Sequence, residues 1–348
     1  MLLFVSDLSH LNWIQIQWAG RLLINITIVE VVAVRKDISL LLALMLVSSY
    51  AWAGKGTPED PWIIGMSQCN LGEPWRVQMN TDIRQAASRH NNIRVDFKDA
   101  QNDSLRQRTH VEEFTAQKVD VLLVSPLEAA PLTPPVKAAF EAGIPVIILD
   151  RKIIGDSFTC FIGADNKLIG EMAGKWINEK LKGQGIVVEL KGLMTSTPGN
   201  DRHSGFRKGI EGSAIQIPFE ADARWLEPNG RKEMESALAR FPKIDLVYAH
   251  NDPMAHGAYL AAKAAGREKS IQFVGIDALP HEGMMYVKQG LFAATFLYPT
   301  GGAEAIETAL KIMSGEKPPR EIILDTVCIT RDNVDEWLKK AGQSAPGK

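Results

Sequence analysis

Short apolar runs alternate with longer stretches of helical periodicity along most of the chain. The apolar runs predict strands at residues 62–67, 93–97, 119–124, 144–149, 185–190, 215–220, 244–249, 271–276, 291–297 and 322–329. The periodic stretches predict helices at 75–89, 104–117, 132–142, 166–181, 201–212, 230–240, 253–265, 280–289 and 301–314. Strands that alternate with helices of 10–15 residues predict βαβ units and parallel sheets.

The alternation falls into two series, which are separated by a pause at residues 157–163. A length of 348 residues allows two domains, because single cores rarely grow beyond about 250–300 residues. The second series has one more helix and strand than its sheet needs. We therefore expect an α/β protein with two similar halves, in which the chain crosses between domains more than once.

Polar side chains follow three of the predicted strands at the point where each strand ends. Asn251 and Asp252 follow one strand, Asp150 and Arg151 another, and Asp277 a third. In open α/β sheets, ligands bind at the carboxyl ends of the strands. Carboxylates and guanidinium groups at such an edge are suited to the hydroxyls of a small polyol.

Two tryptophans add a possible aromatic contact to these polar groups. Trp75 stands beside Arg76 in the loop after the first strand, and Trp225 lies in the second series before a helix. Two aromatic rings from two domains would enclose a sugar ring. Simple surface packing is an equal alternative for Trp75 and Arg76, and a solvated pair is an alternative for Asp150 and Arg151.

Composition and motifs exclude several other classes. The 39 basic residues balance 41 acidic ones, so the chain has no electrostatic footprint for nucleic acid. Phosphate-binding loops and a nucleophile elbow are absent from the sequence. His250 and His256 lack a third metal ligand at a suitable spacing, and Cys69, Cys160 and Cys328 are too scattered for a disulfide framework. We expect a binding protein without cofactor or metal.

Residues 1–53 are interpreted as an upstream extension followed by a signal peptide. Arg35 and Lys36 precede an apolar stretch at 38–47, and Ala51-Trp52-Ala53 ends it. These are the three parts of a secretory signal, and the apolar run is too short to span a membrane. We expect cleavage near Ala53 and a periplasmic location.

The remaining sequence resembles the type I periplasmic sugar-binding proteins of the ribose, galactose and galactofuranose group. The matching segments are GIPVIILDR at 143–151, YAHNDPM at 248–254, VGID at 274–277 and FAAT at 292–295. The resemblance implies a ligand site formed by Glu73, Trp75, Arg76, Ser125, Asp150, Arg151, Arg202, Trp225, Asn251, Asp277 and Tyr298. Glu73, Ser125 and Tyr298 differ from the ribose binders, which argues against ribose itself.

The same resemblance implies the domain organisation and the partners. Two Rossmann-like lobes, at 54–164 with 299–326 and at 165–298 with 327–348, would be joined by three crossovers near Ala164, Pro299 and Thr326. A monomer of this kind would bind a monosaccharide and deliver it to an ABC permease, without acting as an enzyme. The alternatives are a sensor that presents the ligand to a chemoreceptor or histidine kinase, a repressor and a sugar-modifying enzyme.

Overall fold

The computed structural model describes residues 55–344, in which the chain forms twelve strands and ten helices. The strands are β1 Trp62–Gln68, β2 Ile93–Asp99, β3 Val121–Ser125, β4 Val146–Leu149, β5 Cys160–Ala164, β6 Gln184–Lys191, β7 Ala214–Asp222, β8 Leu246–Ala249, β9 Gln272–Asp277, β10 Ala294–Leu297, β11 Glu321–Leu324 and β12 Cys328–Thr330. The helices are α1 Pro74–Ala87, α2 Ser104–Ala116, α3 Ala129–Glu141, α4 Asn166–Lys180, α5 Thr197–Gly209, α6 Glu227–Arg240, α7 Asp252–Ala264, α8 Gly283–Gln289, α9 Gly302–Met313 and α10 Val334–Ser344.

The strands form two six-stranded sheets of closely similar order. The first sheet runs β11-β5-β4-β3-β1-β2 and is parallel throughout. The second runs β12-β10-β9-β8-β6-β7, and only β12 is antiparallel to its neighbour. Inner strands such as β3 and β8 are buried along their whole length, which explains why they appear in the sequence as continuous apolar runs. The expected α/β class with two similar halves is confirmed.

The chain passes between the two sheets three times. It leaves the first sheet after β5, returns to it after β10 through α9, and leaves again between β11 and β12. These passages lie at residues 164–184, 297–321 and 324–328. They include the expected crossover positions, Ala164, Pro299 and Thr326. The division into lobes at 54–164 with 299–326 and 165–298 with 327–348 stays a prediction.

Three local expectations were wrong. The pause expected at 157–163 contains strand β5, which pairs with β4 and β11. The single strand expected at 322–329 is two short strands in different sheets, because β11 pairs with β5 whereas β12 pairs with β10. Helix α10 lies beyond the last predicted element and packs against α8. A local pattern of apolar residues does not encode the sheet in which each half of a run finds its partner.

The signal peptide expected at residues 1–53 lies outside the described residues. Among residues 55–344, no helix has both the length and the apolar character needed to cross a bilayer. All three cysteines lie in the described part of the chain and are free thiols, with Cys69 and Cys160 buried.

Candidate functional site

Side chains from both sheets meet around one cavity with an empty volume of about 260 Å³. All of them except Arg202, which lies one turn further along α5, follow the carboxyl end of a strand or lie in the first turn of the next helix. Ten of the eleven predicted site residues line the cavity, and Pro198 completes it. The lining is Glu73, Trp75, Arg76, Asp150, Arg151, Pro198, Arg202, Trp225, Asn251, Asp277 and Tyr298.

Glu73, Arg76, Asp150 and Arg151 form the side of the cavity that we call the first-sheet wall. Arg76 Nη2 lies 2.6 Å from Asp150 Oδ2, and both side chains are almost fully buried. Burial by itself would raise the pKa of Asp150, but Arg76 and then Arg151 hold that pKa below its usual value. Arg76 Nη1 also donates to Ser125 Oγ at 2.8 Å. Ser125, the eleventh predicted residue, therefore supports Arg76 from outside the cavity lining.

The other two members of this wall are held less directly. Arg151 Nη1 donates to the carbonyl oxygen of Leu127 at 2.9 Å. The Glu73 carboxylate accepts a hydrogen bond from Asn70 at 2.8 Å. It also lies 3.8 Å from the guanidinium groups of Arg76 and Arg151. At that distance the charges attract without a hydrogen bond.

Trp75 and Tyr298 form an aromatic corner beside the first-sheet wall. Their rings lie 5.1 Å apart at an angle of 30°, and the indole N–H of Trp75 donates to the carbonyl of Tyr298 at 2.7 Å. The Tyr298 hydroxyl donates to Asp150 Oδ1 at 2.6 Å. Tyr298 follows a strand of the second sheet, so this bond joins the two sides of the cavity. The alternative that Trp75 merely packs on the protein surface is wrong, because the residue is only 4% exposed.

Arg202, Trp225, Asn251 and Asp277 form the opposite side, which we call the second-sheet wall. Arg202 projects from α5, where Gly170 of α4 lets the two helices approach: a Cβ there would lie 2.3 Å from the carbonyl oxygen of Arg202. Its Nε donates to Asn166 Oδ1 at 2.8 Å, and Nη1 donates to the carbonyl of His250.

Asn251 serves the protein as well as the cavity. Its side-chain oxygen accepts from the backbone N–H of Met254 at 3.1 Å and so caps α7. Its amide nitrogen donates to the carbonyl of Trp225 at 2.9 Å. Each end of the amide keeps one further hydrogen-bonding position, one acceptor and one donor, for a ligand.

Asp277 differs from the other carboxylates of the cavity. Within residues 55–344 its side chain makes no hydrogen bond or ion pair, although the residue is 6% exposed. Burial raises the pKa of Asp277, and the neighbouring Asp252 raises it further. Asp252 does not line the cavity, although the sequence placed it at this edge: it is fully buried and accepts from Thr295 Oγ1 and the N–H of Ala278, each at 2.7 Å.

Two residues of the site were missed from the sequence. Pro198 is the second residue of α5 and carries no polar group that would single it out. Asn166 lies just behind the cavity, where its amide nitrogen donates to the Tyr298 hydroxyl at 3.1 Å and its oxygen accepts from Arg202. In the sequence Asn166 stands at a helix start, where such residues are common for reasons of capping alone.

One group of side chains in the described range has metal-ligating spacing, and it lies outside the cavity. Ligand atoms of Glu189, His203 and Glu220 lie within 4.8 Å of one another. Arg207 Nη2 already lies 3.2 Å from Glu189 and 2.8 Å from Glu220. The guanidinium supplies the positive charge that these carboxylates need, and we assign no metal there.

Comparison with known proteins places these features in context. A family model described as a periplasmic binding protein domain matches residues 64–317. The chain is 32% identical to the ribose import binding protein RbsB of Bacillus subtilis (strain 168) over 261 residues, which cover 74% of this chain and 84% of that protein. It is 29% identical to the galactofuranose-binding protein YtfQ of Escherichia coli (strain K12), over 80% of this chain and 91% of that one.

Among solved structures, the chain resembles the fructose-binding periplasmic domain of a hybrid two-component system. The two share 43% sequence identity and a TM-score of 0.78, and the match covers 81% of this chain and 95% of that domain. The fold and the family resemblance inferred from the sequence are therefore confirmed.

Proposed function

This chain belongs to the periplasmic binding protein family, and we propose that it captures a monosaccharide in the cavity between its sheets and delivers it to an ABC permease. One observation carries the proposal: polar and aromatic side chains from both sheets line a single cavity of about 260 Å³. Eleven side chains converge closely on this space, which suits one sugar ring better than an oligosaccharide.

The chemistry of the lining supports an uncharged polyol as the ligand. Three guanidinium groups face three carboxyl groups, so the cavity has no large excess of either charge. Trp75 and Trp225 offer apolar surface to the C–H groups of a sugar, while the charged groups bond its hydroxyls. Each such bond contributes roughly 1.5–3 kcal/mol. Several of them together reach the roughly −8 kcal/mol of micromolar binding.

We propose that the site binds without chemical turnover. The relatives reported above are named as binding proteins. Asp150 is engaged by Arg76 and Tyr298, and its lowered pKa keeps it anionic, so it is not suited to donate a proton to a sugar at neutral pH. The three passages between the sheets would act as a hinge, and sugar would select the closed form that a membrane partner recognises.

A sensory role is a second candidate, favoured by one observation. The structural relative at 43% identity is a domain of a hybrid two-component system, whereas the ribose import relative is 32% identical. Deleting the gene and following both uptake of labelled sugar and sugar-dependent transcription distinguishes the roles. Lost uptake supports transport, and lost transcription with normal uptake supports sensing.

Isothermal titration of the secreted protein against a panel of sugars tests the proposal. The panel contains D-ribose, D-fructose, D-galactose, L-arabinose and myo-inositol, with glucose 6-phosphate as the charged control. We expect micromolar or tighter binding of at least one neutral member, which corresponds to about −8 kcal/mol, and none of the phosphate ester. Absence of heat and of thermal stabilisation with every neutral sugar would contradict the proposal.

A further inference from the structure

The ring of Trp225 rests against the backbone of Gly192, the residue that follows β6. A Cβ built on Gly192 would lie 2.2 Å from carbons of the six-membered part of the indole. The φ angle of Gly192 lies outside the left-handed region, so its conformation is open to other residues. Contact with the ring, and not backbone geometry, is therefore what requires glycine at this position.

Gly192 is fixed from behind by a buried pair. Its backbone N–H donates to Nδ1 of His250 at 3.2 Å, and Nε2 of His250 lies 3.1 Å from Glu189 Oε1. Since Nδ1 accepts, a neutral His250 carries its proton on Nε2 and donates it to Glu189. Both side chains are fully buried, so neither can move aside without leaving a polar group unsatisfied.

The charges of this pair agree with that assignment. Burial lowers the pKa of His250, and the attraction of Glu189 offsets this only in part. Burial alone would raise the pKa of Glu189, but hydrogen bonds from His203 and His250 outweigh it and lower the pKa to about 2. Glu189 is thus an anion and His250 neutral at neutral pH.

The other side of Trp225 is fixed as well. Asn251 donates to its carbonyl at 2.9 Å, and Trp225 holds a left-handed backbone with φ of 70°. Such a conformation is uncommon for a bulky residue and persists where surrounding contacts determine it. With its backbone held and Gly192 behind it, a displaced ring must enter one of the two spaces that Trp225 borders, the cavity itself or the groove that it shares with Leu127 and Leu193.

We propose that Gly192, held by His250 and Glu189, sets the depth of the cavity and thereby the size of sugar that it accepts. The inference rests on the proposed function and names a specificity determinant outside the cavity lining. An added Cβ at 2.2 Å must move the ring by more than 1 Å to reach the ordinary contact range of 3.4–4 Å. In the cavity that Trp225 lines, that displacement removes the space of an exocyclic group.

The test compares Gly192→Ala with Gly342→Ala as the matched control. A Cβ on the exposed Gly342 meets nothing within 4 Å. Both variants are titrated with the tightest-binding hexose and with the pentose that lacks only its exocyclic hydroxymethyl group, by direct or competitive calorimetry. We expect Gly192→Ala to weaken hexose binding roughly ten- to hundred-fold, to weaken pentose binding much less, and Gly342→Ala to change neither.

A second pair of variants tests the support behind Gly192. His250→Leu removes the acceptor for the Gly192 N–H, whereas the side-chain oxygen of His250→Asn can replace Nδ1. We expect His250→Leu to weaken hexose binding and His250→Asn to retain most of it. Thermal unfolding without sugar identifies a variant that fails to fold. In that case the comparison of Gly192→Ala with Gly342→Ala tests the proposal by itself.

Two results would overturn the inference while leaving the proposed function intact: wild-type affinity of Gly192→Ala for the hexose, or an equal loss for hexose and pentose. A wild-type protein that binds no sugar instead contradicts the proposed function itself. In that case the proposed role of Gly192 in setting the cavity depth is contradicted as well.

Discussion

The two walls of the cavity hold their charged groups in different ways. On the first-sheet wall, the Asp150 carboxylate lies 2.6 Å from Arg76 and accepts from Tyr298. On the second-sheet wall, the Asp277 carboxyl makes no hydrogen bond or close ion pair among residues 55–344. Burial and the neighbouring Asp252 raise its pKa, and the attraction of Arg202 offsets this only in part. The Asp150 carboxylate is thus engaged by the protein, whereas the Asp277 carboxyl keeps its hydrogen-bonding capacity for a ligand.

This difference separates folding from recognition. A satisfied buried ion pair fixes geometry in advance, and removing one partner leaves an uncompensated charge. An unsatisfied carboxylate costs stability until a ligand donates to it. Substitution of Asp150 should therefore affect both stability and binding, while substitution of Asp277 should affect binding alone.

Asp150→Asn is expected to have the largest effect. The amide removes the charge that Arg76 requires, so the free energy of unfolding should fall by about 3–5 kcal/mol. Sugar binding should weaken more than roughly hundred-fold, since a bond to a charged group and the placement of Arg76 are lost together. Urea unfolding and calorimetry measure the two quantities. Asp96→Asn, in an exposed pair with Arg94, is the control and should change stability by about 0–1 kcal/mol.

Asp277→Asn should weaken sugar binding without lowering the stability of the free protein. Sugar binding is expected to weaken by about 1.5–3 kcal/mol, because a carboxylate acceptor is replaced by a neutral one. The free protein should be at least as stable as wild type, since a desolvated carboxyl next to Asp252 is removed. If Asp277→Asn destabilised the free protein as much as Asp150→Asn, the contrast between the walls would be lost.

Trp225→Ala should weaken sugar binding by about 1–3 kcal/mol through the loss of one large apolar contact. Trp225→Phe should lose less affinity than Trp225→Ala, because it keeps ring surface and loses only the indole N–H, which has no hydrogen-bond partner in the described structure and is available to the sugar. Calorimetry with the same sugar compares the two variants. Equal losses for phenylalanine and alanine would show that the ring surface is not the contributing feature.

Asp252→Asn should affect sugar binding least, and its main effect should be on how stability depends on pH. Burial raises the pKa of Asp252 from 3.8 to about 8. The folded protein then binds more protons than the unfolded chain between these values, so stability falls as pH rises through this window. An asparagine could accept from Ala278 and donate to Thr295, with no titration. The melting temperature of Asp252→Asn relative to wild type should therefore increase from pH 5 to pH 8, and a pH-independent difference would contradict the assignment.

The sequence predicts the cavity well because its residues follow the ends of apolar strands. Asp150, Asn251 and Asp277 could be recognised from position and residue type alone, and the family resemblance supplied Arg202 and Tyr298. The role of Gly192 could not be recognised from the sequence. A glycine after a strand is common, and the contact of Gly192 with Trp225 joins residues far apart in the chain. The same reason hides Asn166, whose partners Tyr298 and Arg202 come from other elements. The split between β11 and β12 depends on sheet partners that no local pattern encodes.

A crystal structure of the protein with its tightest-binding sugar would show whether both walls bind one ligand. We expect one sugar ring in the cavity, in contact with Trp75 or Trp225, with hydroxyls in hydrogen-bond distance of both Asp150 and Asp277. A sugar bound elsewhere, or one that contacts only one of the two walls, would contradict this expectation.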